Sequence, residues 1–186
     1  MTVFYLVQHG EKARQPGDPG LTETGFRHAG RTAALLRGAG LQAVFSSPLR
    51  RARQTAEVIA SAADLAIAED VRLRERMNWD GSQPIAEFLT DWAATVGDRS
   101  FVPRLGDSSL QAGERFREFL LEHVDRPGPI AVCTHGGVTV DLLRTLLGDQ
   151  GVPERLWHEG IASCAITTLE DHTVLDIASV SHLTAA

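Results

Sequence analysis

Two short apolar runs in this 186-residue chain end in the same way, LVQ-His9-Gly10 and VCT-His135-Gly136. A pair of imidazoles brought to one place suits phosphoryl transfer. One neutral ring attacks phosphorus in line and forms a covalent phosphohistidine, which divides one hard step into two easier ones. The other nitrogen of that ring must be held by a hydrogen bond, most simply to a backbone carbonyl, so that the attacking nitrogen keeps its lone pair. The second ring, if protonated, donates to phosphoryl oxygens and stabilises the charge spread over them. The glycine after each histidine lets the backbone turn tightly and a ligand come close. A single histidine at a strand end is more often structural, but two in a shared context reverse that weighting. Such chemistry needs no metal.

The two imidazoles meet only if both runs are strands of one parallel sheet. Residues 2–8, TVFYLVQ, are rich in β-branched and aromatic side chains and read as a buried strand. Residues 41–46 read as a second strand, a short stretch at 65–68 as a third, and PIAVCT at 129–134 as a central one. Both cysteines, Cys133 and Cys164, fall in strand-like runs and read as small buried hydrophobes in a reducing compartment. Helices are expected between these strands. One follows an N-cap at Thr22 or Thr24 and turns Phe26, Ala29, Ala33 and Leu36 inward. Another runs from Pro48 to about Ser61, and two more cover about 83–95 and 107–124, the last starting near Ser108 or Ser109. A helix after His135 reaches about Leu147, and runs at 163–169 and 173–179 flank a hairpin signal, Glu170-Asp171-His172. This alternation predicts an α/β fold, a three-layer sandwich with a mostly parallel central sheet flanked by helices. Ligands then bind at the carboxyl ends of the strands, where both histidines arrive. The length reads as one domain over 1–186, with a small insert at about 76–106.

Composition narrows the function classes. Charged residues make up 23% and hydrophobic ones 43%, an ordinary balance for a folded globular chain. The net charge of −6, from 18 Lys plus Arg against 24 Asp plus Glu, argues against general binding to nucleic acid or anionic membranes. Arg50, Arg51 and Arg53 nevertheless stand together, as do Arg72, Arg74 and Arg76, so a small anion still has local positive charge to meet. The N-terminus MTVFYLVQHG has no basic leader region and no apolar stretch is long enough to span a bilayer, so a cytoplasmic location is expected.

LVQHGEK, then LTETG, SSPLRRARQTA and VCTHGGV, in this order and spacing, resemble the histidine phosphatase (phosphoglycerate mutase-like) superfamily. The resemblance runs from residue 3 to about 147. It implies that His9 is the phosphorylated nucleophile, His135 the second catalytic histidine and Arg51 a planar fork for two phosphoryl oxygens. Gly136, after the second histidine, joins the phosphate-binding set. The family's proton donor lies in a Leu-x-Glu pattern upstream of a glycine, which Leu73-Arg74-Glu75 and Gly81 match, so Glu75 is the general acid implied. Glu11 is expected to support the loop. No cofactor and no metal is implied, and the partner is a small phosphorylated substrate.

One position departs from the family. Its first motif is Arg-His-Gly, and here Gln8 precedes the histidine. A glutamine amide still donates one hydrogen bond, without the charge or the forked geometry. A charge-assisted bond contributes about 1.5–3 kcal/mol, so its loss costs roughly 10- to 150-fold in rate. Lys12, Arg14 and Arg76 are candidates to replace the charge. The leading expectation is a metal-independent phosphomonoesterase; a degenerate binder of phosphorylated ligands and a metal hydrolase on His9, His135 and Glu75 are the alternatives. The short insert favours water over a second substrate as phosphoryl acceptor, and thus a phosphatase over a mutase. Met77, Asn78, Trp79 and Trp92, which border the site, are expected to pack more than to select. Neither substrate nor oligomeric state is legible.

Overall fold

A computed structural model describes residues 1–184. Six strands form one sheet: β1 (Val3–Gln8), β2 (Ala43–Ser46), β3 (Ile67–Glu69), β4 (Ile130–Thr134), β5 (Ile166–Glu170) and β6 (Thr173–Ser179). Their order is β3-β2-β4-β1-β5-β6. Neighbours from β3 through β1 pair in parallel, and β5 pairs antiparallel with both β1 and β6. The sheet is thus mostly parallel, as expected.

Alternate side chains of the central strands feed two separate cores. Phe4 and Leu6 of β1, with Ile130 and Val132 of β4, pack with Phe116, Phe119, Leu120, Val138 and Leu142. Those residues come from α4 (Ser109–His123) and α5 (Gly136–Leu147), which lie against each other on that face. Val7, Ala131 and Cys133 point the other way and meet Ala33, Leu36, Ala56 and Ile59, contributed by α1 (Glu23–Arg37) and α2 (Arg50–Ala63). A strand with helices on both sides has no solvent-facing residues, which is why β4 is a continuous apolar run instead of an alternating one.

The helices begin where local chemistry allows. Thr22 caps α1 by accepting the Gly25 N–H, so of the two threonines it is the first that serves. Ser108 opens α4 with a reciprocal capping box to Gln111. The segment between β3 and α4 holds a short 3-10 turn at Val71–Leu73 and one α-helix, α3 (Ile85–Gly97). Two single-turn helices, α6 (Arg155–His158) and α7 (Ser181–Thr184), are too short to leave a periodic trace in sequence.

Three local expectations change. Phe26 lies 43% exposed on α1, because the buried stripe runs through Gly25, Ala29, Thr32, Ala33 and Leu36. Cys164 is buried but precedes β5, in a left-handed turn with φ 59°. The third strand lies at Ile67–Glu69, later than read, because Asp64 ends α2 in a left-handed conformation and the chain turns before extending.

The loop after β1 sits directly on the first turn of α1. A Cβ on Gly25 would lie 2.2 Å from Glu11 O, and one on Gly10 2.7 Å from Gly25 O. Neither atom can retreat without moving backbone. Gly25→Ala is therefore expected to destabilise the protein by about 1–3 kcal/mol in urea denaturation, whereas Gly30→Ala, with open space around the new methyl, should leave stability unchanged or slightly raised.

Candidate active site

Gln8 and Thr134 are paired across β1 and β4, and each of the two histidines is the next residue on its strand. The His9 N–H donates to Thr134 O at 3.0 Å and carries the register one step past the sheet. The two rings stand edge to face with centroids 5.1 Å apart. His9 is 8% exposed and His135 is fully buried.

His9 Nδ1 lies 2.7 Å from Gly10 O. A carbonyl oxygen only accepts, so Nδ1 carries the proton and Nε2 holds the lone pair. Gly10 is itself held, donating its N–H to Thr55 Oγ1 at 3.0 Å. Arg51, one turn before Thr55 on α2, donates Nε–H to His9 Nε2 at 3.2 Å. Its Nη2 donates to Asn78 Oδ1 at 3.1 Å, while Nη1 is buried without a hydrogen-bond partner. Asp18 lies 3.9 Å from that nitrogen, an ion-pair contact and not a hydrogen bond. Burial first, then the nearby Arg51 guanidinium, lower the His9 pKa to about 3. The ring is therefore neutral through the physiological range, with Nε2 as its unprotonated nitrogen.

His135 Nε2 lies 2.8 Å from Ser47 Oγ. Its Nδ1 is buried without a partner. Burial, then His9, Arg51 and Arg115, hold its pKa well below the ordinary value. The charged form considered for the second ring is thus disfavoured in this structure.

Glu75 arrives from the segment after β3 and lies at the start of α5. Its Oε1 accepts from Arg76 N–H (2.7 Å) and Val138 N–H (2.8 Å), and its Oε2 from Gly137 N–H (3.0 Å). A carboxylate suits a helix N-terminus. Gly137 has no room for a side chain there, since a Cβ would lie 2.6 Å from Glu75 Oε1 and 2.7 Å from Trp92. Glu75 takes the Gly137 and Val138 amides and leaves Gly136 as the first-turn amide for another acceptor.

Gln8 places Nε2 3.4 Å from His9 Nε2 and keeps Oε1 buried with no partner. Of the three candidate replacement charges, Arg14 is exposed. Arg76 is committed elsewhere: Nη1 donates to Asp141 at 2.7 Å, and the guanidinium stacks 4.2 Å from the Trp92 ring. Burial pushes that Asp141 carboxyl up to about 6 against the pull of Arg76. Only Lys12 acts on His9, helping to lower its pKa. Glu11 accepts the Thr22 hydroxyl at 2.6 Å and so supports the loop.

The structure therefore brings His9, His135, Arg51, Gln8, Gly136 and Glu75 together. It adds Ser47, Thr55 and Asn78, which sequence reading passed over or assigned to packing. Ser47 stood in the SSPLRRARQTA string, and its place one residue past β2 was the available signal. Among the described residues, no three His, Cys, Asp or Glu side chains gather as metal ligands. No described helix is long and apolar enough to cross a membrane.

This sheet, with its strand-end histidine pair and the arginine of the second helix beside it, has many relatives. Residues 4–174 match the histidine phosphatase superfamily (branch 1), and the chain belongs to that family. The probable phosphoglycerate mutase GpmB of Yersinia pestis is 33% identical over 171 residues, 83% of this chain and 79% of that protein. A mycobacterial glucosyl-3-phosphoglycerate phosphatase, solved with inorganic phosphate, is 26% identical with TM-score 0.77 over 98% of this chain and 99% of that one. YhfR of Bacillus stearothermophilus is 25% identical with TM-score 0.78 over 98% and 100% of the two chains. The family and these neighbours are phosphatases or mutases in name where a function is given.

The depressed His9 pKa has a consequence for stability. The folded ring stays neutral down to about pH 3, whereas the unfolded chain protonates it near 6.5. The unfolded state therefore binds the extra proton between those values, and stability falls as pH is lowered through that window. Replacing His9 with Gln is expected to flatten the acid side of the stability curve by up to about 1.4 kcal/mol per pH unit, read by urea melts from pH 7 to 4. An unchanged slope would show that His9 titrates normally in the folded protein.

Proposed function

We propose that the chain is a metal-independent phosphomonoesterase that acts through a phosphohistidine at His9 on a small phosphorylated metabolite or a phosphoprotein. The observation that carries this reading is the state of His9: buried, neutral, and pinned by Gly10 O so that its Nε2 lone pair faces Arg51 and His135. In the first half-reaction Nε2 attacks phosphorus, the ester P–O bond breaks, and the leaving oxygen takes a proton from Glu75. In the second, Glu75 takes a proton from water, the water oxygen attacks phosphorus, and the N–P bond breaks to free phosphate and restore His9.

Arg51 must swing its donors from the His9 lone pair to the phosphoryl oxygens, joined by His135 Nδ1 and the Gly136 amide. Glu75 Oε2 has one hydrogen bond where Oε1 has two, so Oε2 is the oxygen freer to exchange a proton with the leaving group and with water. Beside Gly136 and Gly137 opens a pocket of about 210 Å³, walled by Arg76, Trp92, Arg144 and Trp157. It is smaller than the roughly 300–1,000 Å³ usual for drug-sized ligands, which favours a small leaving alcohol.

A second reading, a binder with little turnover, draws on Gln8. The site lacks the charge that the family carries there, and the one arginine that contacts His9 also covers its lone pair.

Hydrolysis of p-nitrophenyl phosphate in excess EDTA separates the two. Wild type should turn over, and His9→Ala should lose more than about 10³-fold. Arg51→Ala should lose about 10- to 150-fold in kcat/KM. Equal rates in wild type and His9→Ala would end the phosphohistidine reading; no turnover in either would leave the binder.

A further inference from the structure

Gln8 is the one polar group of the site whose two ends ask for opposite things. Its Nε2 is 3.4 Å from His9 Nε2. Because the His9 proton sits on Nδ1, that nitrogen is bare, and an amide oxygen there would set lone pair against lone pair. The orientation with the NH2 toward His9 is therefore fixed by the bond from His9 Nδ1 to Gly10 O. The carbonyl then points toward the start of α5: a Cβ on Gly136 would be 3.6 Å from Gln8 Oε1. That oxygen is buried and no protein group donates to it.

The other site groups without partners are donors. Arg51 Nη1 is one. His135 Nδ1 is another: Ser47 Oγ accepts the Leu49 N–H, and the one acceptor among the described residues within reach of its own proton is His135 Nε2, a pairing that leaves the ring proton on Nδ1. A fully ionised phosphoryl group satisfies those donors and brings nothing to Gln8 Oε1. A singly protonated one satisfies the donors with its bare oxygens and gives its P–O–H to Gln8.

We infer that Gln8 makes this a site for the monoanionic phosphoryl group, with its NH2 donating to one oxygen and its buried carbonyl accepting the phosphoryl O–H. The inference deepens the phosphatase reading by specifying the ionic form of its substrate, and it rests on that reading for the place where phosphate binds.

The charges around Gln8 agree. Its neighbours His9 and His135 are neutral, and the positive charges of Arg51 and Lys12 stand against Asp18 and, in its ionised form, Glu75, both of which act on Arg51. Arg115 also acts on His135, and it shares Asp107 with Arg74. No surplus of two positive charges awaits a dianion. The main-chain N–H of Cys164 donates to Gln8 O; burial pushes its thiol up to about 11 and raises the Cys133 thiol further. The Asp141 carboxyl behind Arg76, pushed up to about 6 by burial, titrates at the acid end of the range; above about pH 7 the ligand is what titrates, and Lys12, lowered by burial and Arg51, enters on the alkaline side.

The test is binding of inorganic phosphate to the full chain by calorimetry from pH 5.5 to 8.5, with sulfate, which has no proton to give in this range, as a second probe. In wild type the apparent Kd should rise about tenfold for each pH unit above the second ionisation of phosphate, as the competent form is diluted, and sulfate should bind weakly at every pH. Gln8→Arg should bind phosphate with a flat or opposite dependence and gain affinity for sulfate. Gln8→Met, close in shape and without the acceptor, should cut the slope below about threefold per unit. A wild-type Kd that is flat or tightens with rising pH overturns the inference, as does phosphate that fails to bind at any pH. Binding with the expected slope but no p-nitrophenyl phosphate turnover would remove the phosphatase reading and leave this one standing.

Discussion

The pairing of β1 with β4 is the constraint on which the site depends. Two parallel strands in register deliver equivalent positions to the same edge, so Gln8 opposite Thr134 makes His9 and His135 neighbours without any contact between their side chains being required. The chain brings in β4 only after building β1, β2 and β3, and inserts it between the first two. The helix after β1 leaves to one face of the sheet and the helix after β4 to the other, which opens a crevice at the carboxyl ends where the connections diverge. Ser47 of the strand on one side and the Gly136 turn of α5 are carried to that crevice by the same pairing.

Burial does the electrostatic work. Ordinary imidazoles titrate near neutrality, and here low polarity and the adjacent guanidinium keep both rings uncharged. Positive charge at the site is concentrated on Arg51, which is steadied by Asn78 and Asp18. A second buried arginine, Arg76, is matched by Asp141 and laid on Trp92. It forms a wall of the neighbouring pocket. A buried arginine–aspartate pair of this kind sets geometry more than it adds stability.

The centre of the sheet was legible because β1 and β4 are buried on both faces: the apolar runs that end at His9 and His135 have few other readings, and the glycines after them mark the turn. Helix positions followed from capping residues such as Thr22 and Ser108. Boundaries drifted where an unusual backbone conformation intervened, as at Asp64 and Cys164. Phe26 misled because its apolar character fits a 3.6-residue stripe, while the stripe that packs is made of smaller residues against the β1 loop. At the site, Arg51 could be placed from helix register. The Asn78 and Ser47 contacts and the commitment of Arg76 to Asp141 could not, since each joins segments separated by tens of residues and leaves no local pattern.

The interlock of Gly10 and Gly25 sets where His9 can stand, and it does so with main-chain atoms alone. An imidazole whose loop is seated by backbone meeting backbone depends less on the side chains of α1 around it. Most of the outward face of α1 can change composition freely, taking on new charge or a new partner, without transmitting a displacement to the imidazole. The same arrangement is unforgiving at two positions, where a single methyl group would be felt by the whole loop. Innovation in this chain is thereby channelled away from the reacting atom and toward the walls of the pocket beside it, where Trp92 and Trp157 can be exchanged for other shapes.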